Sequence, residues 1–368
     1  FFGLNIDGGI IQLGRNNALS SRVDVVLRGN GADGILDLNG YDQEIVSLAG
    51  SSGSVDNSAF DFNTLTVDQS ADSIFGGGLR GSVNLTKRGP GILELTGSNT
   101  HRGFTTLSEG MLRLHGHPGS NSTLATNGKD DDEEDVLIDG GTLEIAADEQ
   151  IGDKAIISMS FGALNYGSAS GLVETVAGFR NSGGDFSTGA NTFLGAGRAI
   201  AFTGGTNTVG DGGLVRDTRV IIGGGLNTVE GGVNGGVLHV ASGGGLEFGG
   251  TDSPTLVLGS NNGVAGRLLL DGDVTVNESL TSGTAAILSS GSGANAGRVD
   301  LNGANRTFTI ANGSSGNDLL VSAVITNGAI RKEGEGTLRL TGDNIHTGAT
   351  VINAGSVSIE QESNLGAN

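Results

Sequence analysis

Cysteine and tryptophan are absent from the 368 residues, and there are only 3 prolines, 2 tyrosines and 2 methionines. Without cysteine there are no disulfides, no thiolate catalysis and no cysteine-ligated zinc or iron–sulfur centre. The same lack suits a chain that stays unfolded while crossing an oxidising space. Missing tryptophan and scarce tyrosine remove the usual stacking platforms for sugars. No apolar run approaches the roughly 20 residues of a membrane-spanning helix, so direct membrane insertion is not expected. Positive charge is also in short supply, with 20 Lys and Arg against 40 Asp and Glu, a formal charge of −20. That field repels a phosphate backbone, which argues against a nucleic-acid partner. The opening Phe1-Phe2-Gly3-Leu4-Asn5 is neither an initiator methionine nor a signal peptide, and reads as the start of a piece cut from a longer chain.

Glycine is abundant, at 69 residues, yet 36% of the chain is apolar. Collagen needs a strict three-residue glycine period with abundant proline, and Gly-rich disorder would lack the apolar residues. Glycine here punctuates something ordered. A phrase recurs in which glycine leads a short stretch of alternating aliphatics: Gly34-Ile35-Leu36-Asp37-Leu38, Gly110-Met111-Leu112-Arg113-Leu114, Gly141-Thr142-Leu143-Glu144-Ile145 and Gly297-Arg298-Val299-Asp300-Leu301 are four of its copies. Alternation is the period of a strand with one buried face.

Strands this short cannot bury themselves. Stacking coil on coil instead buries a narrow column of Val, Leu, Ile and Ala, with glycine, asparagine and serine at the corners. The expected fold is all-β, a right-handed parallel β-helix running through residues 1–368 as one continuous solenoid. Coils of roughly 20–25 residues would give about 15 to 18 turns. Between residues 180 and 250 the glycines are densest. Val220-Ile221-Ile222, Val237-Leu238 and Leu246-Glu247-Phe248 nevertheless continue the β pattern there, so a flexible linker is not assigned.

Two distant segments match without a gap. Leu85 to Thr105 aligns with Ile330 to Thr350 at a constant offset (332 − 87 = 245), and the match runs on to Gly110 and Gly355. Lysine, glycines, leucines, asparagine, histidine and threonine coincide. These segments, about 85–114 and 330–359, resemble the passenger-associated transport repeat of bacterial autotransporters, also called the autotransporter-associated β-strand repeat. Lys87, Gly89, Gly91, Leu93, Leu95, Gly97, Asn99, Thr100, Gly103, Thr105, Leu107 and Gly110 match its pattern. So do Lys332, Gly334, Gly336, Leu338, Leu340, Gly342, Asn344, Gly348, Thr350 and Gly355. In both copies histidine, His101 or His346, replaces the usual tyrosine, and Ile345 stands where the first copy keeps Thr100. The resemblance extends with less detail over about residues 1–125 and 325–368. It implies an exported passenger domain, threaded across the outer membrane by type V secretion and folded outside the cell.

Three functions fit such a chain. It is read first as a structural or adhesive stalk of an exported surface protein, meeting a ligand on a host or neighbouring cell. A self-associating surface fibre and a polysaccharide-degrading β-helix enzyme are the alternatives. No H-E-x-x-H, G-x-S-x-G or phosphate-binding loop occurs, and the carboxylates look isolated at outward positions, so an enzyme is not expected. No catalytic, cofactor or metal residue is assigned, and no cofactor is expected.

Several features are candidate sites. The run Asp130-Asp131-Asp132-Glu133-Glu134-Asp135 supplies oxygens for Ca²⁺, but adjacent like charges are usually solvated, and a protruding loop is the preferred reading. Gly29-Asn30-Gly31-Ala32-Asp33-Gly34-Ile35 looks like half of one calcium-binding nonapeptide, and such sites need tandem copies, so a tight turn is expected. His115 and His117 share one side of a strand without a third ligand, and read as surface residues. His101 and His346 are assigned structural roles, and Asn99 and Asn344 hydrogen bonds along a corner. Sequons at Asn84, Asn121, Asn277, Asn305 and Asn312 are what chance gives in a chain of this composition.

Overall fold

A computed structural model describes residues 2–29, 32–116, 124, 134–189, 191–250, 253–261, 263–280 and 283–367. They form two compact units, Phe1–Gly178 and Phe179–Asn368. Strands dominate both. Among the described residues, helix is confined to two 3-10 turns, Gly293–Asn295 and Glu362–Leu365.

In the first unit the chain visits three ladders in turn. One contains Gly9–Gln12, Gly34–Asp37, Ser54–Asn57, Gly78–Gly81 and Thr100–His101. In the second, Gln43–Ile45, Asn63–Asp68, Val83–Arg88 and Thr105–Leu107 follow one another in parallel. Ser73–Phe75, Ile92–Leu95, Met111–Leu114 and Val136–Ile145 build the third. Each visit adds one rung to each ladder, so neighbours in a sheet are one full coil apart in sequence. A column of fully buried Phe75, Leu95, Leu114 and Ile145 runs down the third ladder in register. The alternation that placed aliphatics on one face of each short strand thus becomes, once rungs stack, a continuous apolar seam.

The second unit repeats this plan with longer strands. Leu214–Ile222, Val237–Phe248, Arg298–Ile310 and Val324–Glu333 each serve two ladders, turning midway. In the last two the turn is made by Asn302 and Asn327 in the left-handed region, at φ 52° and 54°, each followed by glycine. Asparagine tolerates that conformation better than other side-chain-bearing residues. The third ladder holds Leu226–Val229, Thr255–Leu258, Ala285–Ser289, Leu319–Val321, Thr337–Leu340 and Ser356–Ile359. Val215, Leu238, Leu268, Val299 and Ile325 stack as one buried column.

Two departures from pure aliphatic stacking lie in this unit. Phe179, Phe186 and Phe202 pack as an aromatic trio with centroids 4.8 to 6.2 Å apart. Asn181, Asn207 and Asn227 form a buried ladder: the Asn181 amide donates to Asn207 Oδ1 at 2.7 Å, and the Asn207 amide to Asn227 Oδ1 at 2.9 Å. The ladder ends where the Asn227 amide donates to the Thr255 carbonyl, and Leu256 takes over the inward position next to Asn227. Side-chain amides stacked at strand spacing satisfy one another, so polar residues can occupy a core column at low cost.

The fold is the parallel β-helix expected from the sequence, a β-solenoid of about 15 stacked turns. The pairings named above are all parallel, whereas the short hairpin of Ser260–Asn261 with Val264–Ala265 is antiparallel.

Candidate functional site

The two repeat copies are the most highly specified regions, because each places one buried polar residue at three successive bends. The first is lysine. Val83, Leu85 and Lys87 point inward together, and Lys87 lies in register between Val67 and Leu107 in an otherwise aliphatic column. Its ammonium turns to the bend and donates to the carbonyls of Arg88 at 2.6 Å and Gly89 at 2.7 Å. A third bond, 3.4 Å long, goes to Glu109 O in the following coil. Lys332, between Phe308 and Ile352, does the same with Glu333 O, Gly334 O and Ala354 O at 2.7, 2.7 and 3.2 Å. Burial pushes the Lys87 ammonium down to about 8, against the opposing pull of Asp68, Glu109 and Asp72. It therefore still carries its proton at neutral pH.

Close stacking at this bend excludes a side chain. Gly110 and Gly355 have φ of 70° and 66°, and an added Cβ would lie 2.2 Å from Gly89 O and 2.4 Å from Gly336 O respectively. That is why both copies keep glycine there.

Asparagine holds the next bend. Asn99 Oδ1 accepts from Leu79 N, and Asn344 Oδ1 from Ile325 N, both at 2.7 Å and both one coil back. The Asn344 amide also reaches forward to Asn364 O at 2.6 Å. The expected corner role of both asparagines is met. Asn344→Ala or Asn99→Ala leaves a buried backbone amide without an acceptor, at about 1–3 kcal/mol. Hydrogen exchange at Ile325 N or Leu79 N is expected to accelerate, and protection equal to wild type would refute the role.

Histidine marks the third bend. His101 and His346 are fully buried, with Nε2 3.3 and 3.1 Å from Thr105 and Thr350 Oγ1. Nδ1 of each is buried without a hydrogen-bond partner. Burial pushes His101 down to about 4 and lowers His346 in the same direction. Both rings are neutral at pH 7. The structural role expected for the two histidines is what their geometry shows.

The other candidates are not gathered into one centre. Asp130 to Glu133 lie outside the described residues, as do His117, Asn121, Asn30 and Gly31. Glu134 is exposed, but Asp135 is buried and accepts from Ile156 N at 2.8 Å, so it serves the coil instead of the acidic run. Gly29 and Asp33 are joined by an antiparallel bridge. His115 is exposed and pairs with Glu94 at 2.9 Å. Glu94 and Glu144 both bind Arg113, at 3.6 and 2.6 Å, so these outward carboxylates share one guanidinium between them. Asn84 accepts from Phe104 N and so serves the fold. No group of three or more histidine, aspartate or glutamate side chains able to hold a metal occurs among the described residues.

Beside His115, an open cleft of about 620 Å³ is lined by Thr96, Gly116, Ala146, Ala147, Asp148 and Leu172. Sequence reasoning did not anticipate the burial of Lys87 and Lys332, the buried Glu174 that accepts from Gln150 N and Ile151 N, or the His239–Asp271–Arg306 cluster on the second unit.

Residues 85–114 and 330–359, the segments that carry the lysine, asparagine and histidine bends, match the Passenger-associated-transport-repeat family. The chain carries two copies of this repeat. It is also 33% identical, over 327 residues, to the adhesin BmaC autotransporter of Brucella suis biovar 1 (strain 1330). That alignment takes in 87% of this chain but only 8% of the relative. No solved structure matches. The chain is thus a β-solenoid similar to autotransporter passengers, and this similarity supports an extracellular or cell-surface location. No helix of the described residues is long and apolar enough to cross a membrane.

Proposed function

We propose that this chain is a segment of an adhesive stalk, a non-enzymatic β-helix that carries contact surfaces away from the cell that exports it. The similarity to an adhesin autotransporter over 87% of the chain carries this reading. The buried polar side chains support it, because in both repeat copies they are spent on locking bends and none is left converging on a reaction centre. Continuity of residues 1–368 as one solenoid is part of the proposal. The partner is a ligand on a host or neighbouring cell.

Beads coated with the purified chain provide the test. They are expected to adhere to cultured epithelial cells or to neighbouring bacteria several times more than beads coated with an unrelated β-solenoid of similar net charge. Equal retention of both bead types would reject the adhesive role. Release of reducing ends from acidic or neutral polysaccharides by the same preparation would reject its non-enzymatic part.

A further inference from the structure

In the second unit, Arg267 and Arg298 are register partners on adjacent parallel rungs, and both are exposed. Adjacent rungs lie about 4.8 Å apart, so two guanidinium-bearing side chains stand next to each other on one outward column. Like charges directly opposite on a sheet are destabilising. The pairing is harder to account for in a chain with 40 acidic and 20 basic residues, where an acidic neighbour is easily placed. Arg267 has only a 3.6 Å contact with Asp300, and Arg298 makes no ion pair among the described residues.

An independent feature frames the same spot. The corner before Arg267 carries the short hairpin of Ser260–Asn261 with Val264–Ala265, and the corner before Arg298 is an excursion over 290–297. One coil later the same corner is turned by Ser322 and Ala323 alone, between Leu319–Val321 and Val324–Glu333. Enlarged loops on two consecutive rungs wall the arginine pair. The result is two clefts of about 330 and 400 Å³ that both contain Arg298 and Ala294, the first of them also lined by Arg267. Loops raised over a rigid scaffold are where binding surfaces are usually built.

We infer that this corner is a binding groove for an acidic glycan, with Arg267 and Arg298 clamping a carboxylate or sulfate between them. A guanidinium fork matches either oxyanion with two parallel hydrogen bonds, and one anion between two arginines removes their mutual repulsion. Asn234, Ser292, Ser322 and Thr341 line the clefts with groups suited to sugar hydroxyls. No tryptophan is available for stacking, so recognition is by charge and hydrogen bonding and weakens as salt rises. This deepens the adhesive reading by naming a ligand class.

The purified chain is titrated at low salt with dextran sulfate, polygalacturonate and unmodified dextran. Binding to at least one of the two charged polymers is expected, and which one binds distinguishes sulfate from carboxylate. Arg267→Gln and Arg298→Gln should each weaken it about tenfold or more. Their melting temperatures should not fall, since each relieves a like-charge contact, and Arg22→Gln on the first unit should bind as wild type. The inference is overturned if neither charged polymer binds, if unmodified dextran or phosphatidylserine vesicles bind equally well, or if the two arginine variants retain wild-type affinity. Beads that still adhere to cells when coated with the double variant would sink this inference and leave the adhesive reading standing.

Discussion

Lys87→Met or Lys332→Met should destabilise the coils around the substituted residue by about 2–4 kcal/mol. Methionine keeps most of the stem volume, so the aliphatic column between Val67 and Leu107 stays filled. What is lost is the donor that serves three carbonyls at the bend. Hydrogen bonds from a charged donor are worth about 1.5–3 kcal/mol each. Their sum overstates the loss, because the ammonium's own desolvation, visible in its lowered proton affinity, is relieved at the same time. Alanine adds a cavity and should cost more. Because a solenoid is held by nearest-neighbour contacts, damage should be local, with new proteolytic cleavage near residues 88–110 or 333–355. A cleavage pattern and denaturation midpoint identical to wild type would show that the ammonium is dispensable.

Acidification should loosen the repeats through their histidines. The folded state holds His101 at about 4, well under its ordinary value of 6.5. Above pH 6.5 the ring is neutral in both folded and unfolded chains and contributes no pH dependence. As pH falls from 6.5 to 4 the unfolded chain takes up a proton that the folded one refuses, so stability declines. One unit is worth about 1.4 kcal/mol, and the window therefore removes about 3 kcal/mol. His346 is shifted in the same direction and adds to the loss. Glu174 works the other way: burial raises it well above its usual range, and its protonation favours the folded chain as pH falls. The informative quantity is accordingly the difference between wild type and a His101→Gln, His346→Gln variant, in melting temperature from pH 7 to 4. The variant should lose less. Parallel curves would mean that neither ring titrates with folding.

How far the molecule could be read in advance depended on period. Two-residue alternation exposed the strands, and the constant offset of 245 between Lys87 and Lys332 exposed the two repeats. Asn99 and Asn344 were legible because asparagine at a glycine-rich corner has few other uses. The lysines were not read as interior, although alternation already placed Lys87 in phase with Val83 and Leu85. Lysine is almost never fully buried, and the carbonyls that make burial tolerable come from the bend's own backbone and from a coil about twenty residues away.

The middle of the chain was opaque for a different reason. Coils there vary in length, with Leu256 pairing to Ile287 but Asn207 to Asn227. No fixed offset aligns Asn181, Asn207 and Asn227, so their ladder was invisible among the glycines. The arginine corner was hidden in the same way. Arg267 and Arg298 are 31 positions apart because an excursion intervenes, and only the register brings them together.

The bend lysine has a kinetic corollary. Lys87 meets Arg88 and Gly89 as soon as its own bend forms, but its third acceptor, Glu109, arrives 22 residues later. Lys332 waits equally for Ala354. The catch on one turn is thus engaged by the chain that comes after it, and withdrawing that later segment reopens the earlier latch. A filament wound from its amino end would act as a ratchet, each new revolution resisting backward slip of the one before.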